Sequence, residues 1–119
     1  AAARQCEYAR ILVLFQPHRY TRTQLLMDDF GRAFHQADAV YVLDIYAASE
    51  KPVAGVTAEV LAEKIRAFGH RSVKYAGTIE RGVEEICRDA QSGDLVLTLG
   101  AGNVWQAGEK LLERLRGAA

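Results

Sequence analysis

"RILVLF" (10–15) decides the fold. After Arg10 the residues are all apolar and mostly branched or aromatic, so no face is left for solvent. A segment of that kind reads as a strand buried on both sides, as in a parallel sheet. The segments around it alternate in period. "TRTQLLMDDFGRAFHQA" (21–37) places Leu26, Phe30, Ala33, Phe34 and Ala37 at helical spacing. "AVYVLDI" (39–45) reads as a second strand. "TAEVLAEKIRAF" (57–68) puts Leu61, Ile65 and Phe68 on one helical face and stops at Gly69, a natural helix end. "SVKYA" (72–76) is a third strand and "TIERGVEEICRDA" (78–90) a helix with its stripe at Ile79, Val83, Ile86 and Ala90. "DLVLTL" (94–99) is a fourth strand, and "NVWQAGEKLLERLR" (103–116) a last helix carrying Val104, Gly108, Leu111 and Leu115.

The order is β-α-β-α-β-α-β-α. Strands joined through helices of this length form a mostly parallel sheet with helices on both faces, a three-layer α/β, Rossmann-like domain. Ligands of such sheets gather at the carboxyl ends of the strands. The segments 16–22, 44–52, 76–78 and 100–103 should therefore share one edge. The first eight residues read as the end of a helix with no strand before it, so the chain is expected to be one domain, 1–119, lacking its first strand.

Composition bounds the function. The 119 residues suit a single domain, and 50% apolar content with 25% charged residues is globular and not disordered. Fifteen basic residues balance fifteen acidic ones, which gives no electrostatic support for nucleic acid or an anionic membrane as partner. No apolar run is long enough to span a bilayer, and "AAARQCEYAR" (1–10) has no secretory core. Cys6 and Cys87 fit neither a CxxC nor a zinc pattern and read as reduced thiols of a cytoplasmic protein. His18, His35 and His70 have no metal-ligand spacing, so no metal site is expected.

The local exception to that charge balance is "FQPHRYTRTQ" (15–24), with His18, Arg19 and Arg22 and no carboxylate before Asp28. Pro17 should end the strand at Gln16. Thr21 and Gln24 form a T-x-x-Q capping box that places the helix start at Thr21. Two arginines at a helix start oppose the helix dipole. Either solvent screens them at small cost, or an anion completes the site. "LGAGN" (99–103) is a second candidate: Gly100 and Gly102 allow backbone to approach a ligand, or form a tight turn only. The dinucleotide fingerprint would need glycine where Trp105 stands, and no GxxxxGK[ST] occurs. "LDIYAASEKPVAG" (43–55) is long for a connection, but its carboxylates are scattered and a structural loop accounts for it.

"FQPHRYTRT", "YAASEKPVAG" and "LTLGAGN" occur in an order and spacing that resemble the Mur ligases of peptidoglycan synthesis, and among them those that add L-alanine to UDP-N-acetylmuramate. The resemblance covers nearly the whole chain; the other Mur ligases are similar in fold but carry different residues here. It implies the C-terminal domain of a three-domain, cytoplasmic enzyme. The UDP sugar would sit on the first domain, and ATP and Mg2+ mainly on the P-loop of the central one. It implies that the lactyl carboxylate is phosphorylated to an acyl phosphate, which the amine of L-alanine attacks. His18, Arg19 and Arg22 would then meet the alanine carboxylate or the transferring phosphoryl oxygens. The backbone at Gly100, Ala101, Gly102 and Asn103 would line the amino-acid pocket. No catalytic residue is implied in this chain, which should be inactive alone. Asn103 stands where aspartate is commoner in such ligases, and Ser49 where glycine is. Without the resemblance, the same basic helix start fits a free-standing, non-catalytic, flavodoxin-like anion-binding module.

Overall fold

A computed structural model describes residues 10–70, 72–91 and 93–100. Among them the elements are β1 (Ile11–Gln16), α1 (Tyr20–Leu25), α2 (Met27–Ala33), β2 (Ala39–Leu43), α3 (Ala58–Ala67), β3 (Val73–Gly77), α4 (Ile79–Asp89) and β4 (Leu95–Gly100). The four strands form one sheet in the order β3-β2-β1-β4, and every pairing is parallel. The apolar run at the chain's start is thus a central strand, with all six of its residues buried.

Alternation along β1 feeds two cores. Ile11, Val13 and Phe15 point to one face, where Val40, Val42 and Val73 join Phe34 and the Leu61, Ala62 and Ile65 stripe of α3. Leu12 and Leu14 point to the other, with Tyr41, Leu43 and Ala76 against Val83 and Ile86 of α4. The three layers expected from the sequence are present. On the second face a β-carbon added to Gly82 would come within 2.7 Å of Leu14 Cδ1 and 2.9 Å of Leu43 Cδ2. The helix therefore packs closely on the strands' leucines, and a side chain at position 82 would force both to shift.

The helix expected over 21–37 is two short helices that break at Leu26, and the second stops at Ala33. A cause lies one turn back: the buried Thr23 hydroxyl donates to the Arg19 carbonyl at 2.7 Å. Such a back-bond from threonine competes with the helical ladder and bends it. The bend still delivers Phe30 and Phe34 to the sheet, each with its ring centroid 5.2 Å from that of Phe15. The other two helices start where sequence puts them, because Thr57 accepts from the Val60 N–H and Thr78 from the Arg81 N–H. The helix expected over 103–116 lies outside the described residues.

Among the described residues no helix is long and apolar enough to cross a membrane. Cys87 is half-buried and carries no disulfide, while Cys6 lies outside the described residues.

Candidate functional site

Chain order runs outward from β1 to β2 and β3, then returns to the far side of β1 as β4. The sheet order therefore reverses between β1 and β4, and a crevice at such a reversal is where α/β sheets bind ligands. Gln16 and Gly100 are register partners at its floor. Gly100 has φ 132°, and a β-carbon there would stand 2.3 Å from the Gln16 carbonyl oxygen. Glycine is required by both the torsion and the close approach. Gln16 itself is buried; its Nε2 donates to the Asp44 carbonyl at 3.4 Å, and its Oε1 has no hydrogen-bond partner among the described residues.

Beyond Gln16 the chain does not leave the sheet at once. Tyr46 N–H donates to the Pro17 carbonyl at 2.8 Å and Arg19 N–H to the Tyr46 carbonyl at 2.7 Å. These bonds add one parallel rung between His18 and Tyr46. The two rings stack on it, with centroids 5.6 Å apart and planes 11° from parallel. Arg19 then takes φ 68° and ψ 142° and caps the helix that starts at Tyr20. A non-glycine residue with positive φ is held there only by its surroundings. Here the holders are Tyr46 on its N–H, and Thr23 on its carbonyl through both N–H and hydroxyl.

His18, Arg19 and Arg22 thus share the rim of the strand tips. His18 is half-buried, and both arginines are exposed. Neither guanidinium has a carboxylate within ion-pair range among the described residues. Gly100 sits across the crevice floor, while Ala101, Gly102 and Asn103 lie outside the described residues.

The expected capping box does not form. No side chain of its own segment caps α1, and the Thr21 hydroxyl instead donates to Glu50 Oε2 at 2.6 Å. Glu50 Oε1 accepts the Thr21 N–H at 3.1 Å. A carboxylate is a stronger acceptor than the amide of Gln24, and the parallel pairing of β1 with β2 brings its loop alongside. The Thr21 hydroxyl, then the backbone N–H bonds, hold the Glu50 carboxyl below its ordinary range. Sequence reasoning passed over Glu50 as one of several scattered acids. The signal was available in combination: a basic helix start without its own acid, and a long loop after the neighbouring strand.

Behind the basic rim lies an acidic notch of about 290 Å³ lined by Tyr20, Asp44, Thr57, Glu59 and Tyr75. Tyr75 donates its hydroxyl to Asp44, and that bond, with burial, pushes the phenol up to about 12. The notch and the rim place opposite charge side by side on one edge.

A family model described as "Mur ligase, glutamate ligase domain" matches residues 1–102. The chain belongs to the Mur ligase family. This Mur ligase domain is 69% identical over 114 residues to a UDP-N-acetylmuramate–L-alanine ligase of Solibacter usitatus, covering 96% of the chain and 24% of the relative. Ligases of the same name from Syntrophotalea carbinolica and Koribacter versatilis are 55% and 50% identical, over 90% and 97% of the chain and 23% and 25% of their own lengths. The domain therefore spans about a quarter of the length of the curated relatives it matches. A crystal structure of a domain assigned to a UDP-N-acetylmuramate:L-alanyl-γ-D-glutamyl-meso-diaminopimelate ligase of Haemophilus ducreyi superposes with a TM-score of 0.62 at 19% identity. That match covers 95% of this chain and 73% of the other, and supports the fold.

Proposed function

We propose that this Mur ligase domain is the C-terminal part of an ATP-dependent, cytoplasmic ligase that joins L-alanine to UDP-N-acetylmuramate through an acyl phosphate. In this reading His18, Arg19 and Arg22 grip anionic oxygens. The observation that carries it is the pair of exposed guanidiniums at the strand-tip rim, unpaired among the described residues. The alanine carboxylate and the transferring phosphoryl group are planar or trigonal arrays of negative oxygen, which a guanidinium fork matches with two parallel hydrogen bonds. Charge aimed from a fixed position at a site closed to water stabilises the developing oxyanion more than it would in bulk solvent. Identity of 69% to an L-alanine ligase supports the substrate assignment.

ATP and Mg2+ are assigned to the rest of the enzyme. The chain has no phosphate loop, and the described residues include no cluster of three or more His, Cys, Asp or Glu side chains able to hold a metal. The contribution of this domain is to bind and orient: Arg19 and Arg22 on the anion, His18 as a further donor, and the backbone at Gly100, Ala101, Gly102 and Asn103 along the amino-acid pocket.

Arg19→Ala and Arg22→Ala in the intact ligase test the reading by alanine- and ATP-dependent phosphate release. Each should raise the KM for alanine or ATP, or cut turnover, by about tenfold or more. Unchanged kinetics in both variants would remove the arginines from the site.

A further inference from the structure

We propose that Glu50 is a positioning residue for the anion-gripping arginines, acting through Thr21 and never touching substrate. The inference rests on reading Arg19 and Arg22 as anion ligands. Both oxygens of Glu50 are engaged by Thr21, one by its N–H and one by its hydroxyl. Thr21 lies between the two arginines. Glu50 thus brings a negative charge to a helix start that carries two positive ones, and does so without capturing either guanidinium. A charge taken up by backbone N–H and hydroxyl relieves the clash with the helix dipole and leaves the guanidinium forks available.

The loop that presents Glu50 is built to hold this pose. Ala48 and Ser49 have φ 50° and 74°, consecutive left-handed residues that turn the chain back, and Glu50 N–H closes the turn on the Ala47 carbonyl at 2.9 Å. At the other end of the loop, Tyr46 grips Pro17 and Arg19 through backbone bonds and stacks on His18. The segment 17–21 is therefore bonded at both ends by the segment 46–50. Without Glu50 the helix start would be held at Arg19 only, and Arg22 would sit on an unanchored first turn.

The test is steady-state kinetics of the intact ligase with alanine and ATP varied separately, for Glu50→Ala, Glu50→Gln, Thr21→Val and the Glu50→Ala/Thr21→Val double variant. Glu63→Gln, on the exposed side of α3, serves as control. Glu50→Ala is expected to raise, by about fivefold or more, whichever KM Arg19→Ala raises, leaving the other within about twofold. Thr21→Val should reproduce most of that rise, the double variant should be no worse than Glu50→Ala, and Glu50→Gln, which keeps an acceptor oxygen, should recover part of it. Should Glu50→Ala fail to fold, Glu50→Gln and Thr21→Val carry the same comparison. Arginine variants with their defect and Glu50 variants without one would overturn this proposal alone. So would a fall in melting temperature with both KM values unmoved, which marks mere fold support. Arginine variants with no defect would overturn the parent reading and this one with it.

Discussion

Towards the amino ends of the strands, Arg10 grips Asp94 through two nitrogens at 2.7 and 3.2 Å and the Asp89 carbonyl at 2.7 Å. The Tyr41 hydroxyl and Lys74 converge on the Asp89 carboxylate at 2.6 and 3.2 Å. At the carboxyl ends, Arg19 and Arg22 have no such partner among the described residues. The same sheet thus saturates charge at one edge and withholds it at the other. The first edge has groups whose ionisation supports the fold: the Arg10 bond holds Asp94 below the ordinary aspartate range, and the Tyr41 and Lys74 bonds do the same for Asp89. The second carries guanidinium charge that no ion pair among the described residues takes up, which is why it is assigned to function.

If that contrast is right, substitutions at the two edges should separate activity from stability. Arg19→Ala should cost turnover or KM by tenfold or more, equal to about 1.4 kcal/mol of transition-state or substrate binding, with urea unfolding of the ligase unchanged within about 0.5 kcal/mol. Tyr41→Phe should do the reverse. It removes a buried hydroxyl that donates to a carboxylate, so unfolding should show a loss of about 1–2 kcal/mol while both KM values stay put. Kinetic damage from Tyr41→Phe would break the comparison.

Acid sharpens it further. Asp89 and Asp94 have folded-state values below the ordinary 3.8, so the stability they add is complete above that value and is lost as pH falls through their lowered ones. Asp94→Asn should flatten the acid limb of a urea-midpoint profile, and Arg22→Ala should leave it unchanged. The smallest effect belongs to Ser49, at φ 74° in the loop that presents Glu50. Glycine suits that torsion, so Ser49→Gly should shift unfolding by about 0.5 kcal/mol towards stability, with kinetics retained.

The sheet and its two cores were legible in sequence because strand and helix periods are strong over these lengths. "RILVLF" had no polar face, and the stripes of α3 and α4 were complete. The rim holding His18, Arg19 and Arg22 was legible too, since a parallel sheet dictates which loops share an edge. The break at Leu26 was not, because the Thr23 back-bond competes with a helical pattern that is otherwise intact. Glu50 was legible only in combination, from a basic helix start without its own acid and a long loop after the neighbouring strand. The two left-handed residues that aim it do not follow from periodicity.

The backbone at Arg19 has its own consequence. Both of its peptide groups are satisfied, yet its φ of 68° is one that a glycine would occupy without strain. Left to the fold alone, position 19 would carry no side chain. Arg19→Gly should therefore give a sturdier protein than Arg19→Ala and, on the proposed function, an equally crippled enzyme; that pair of results would mark this arginine as one kept for chemistry and not for folding.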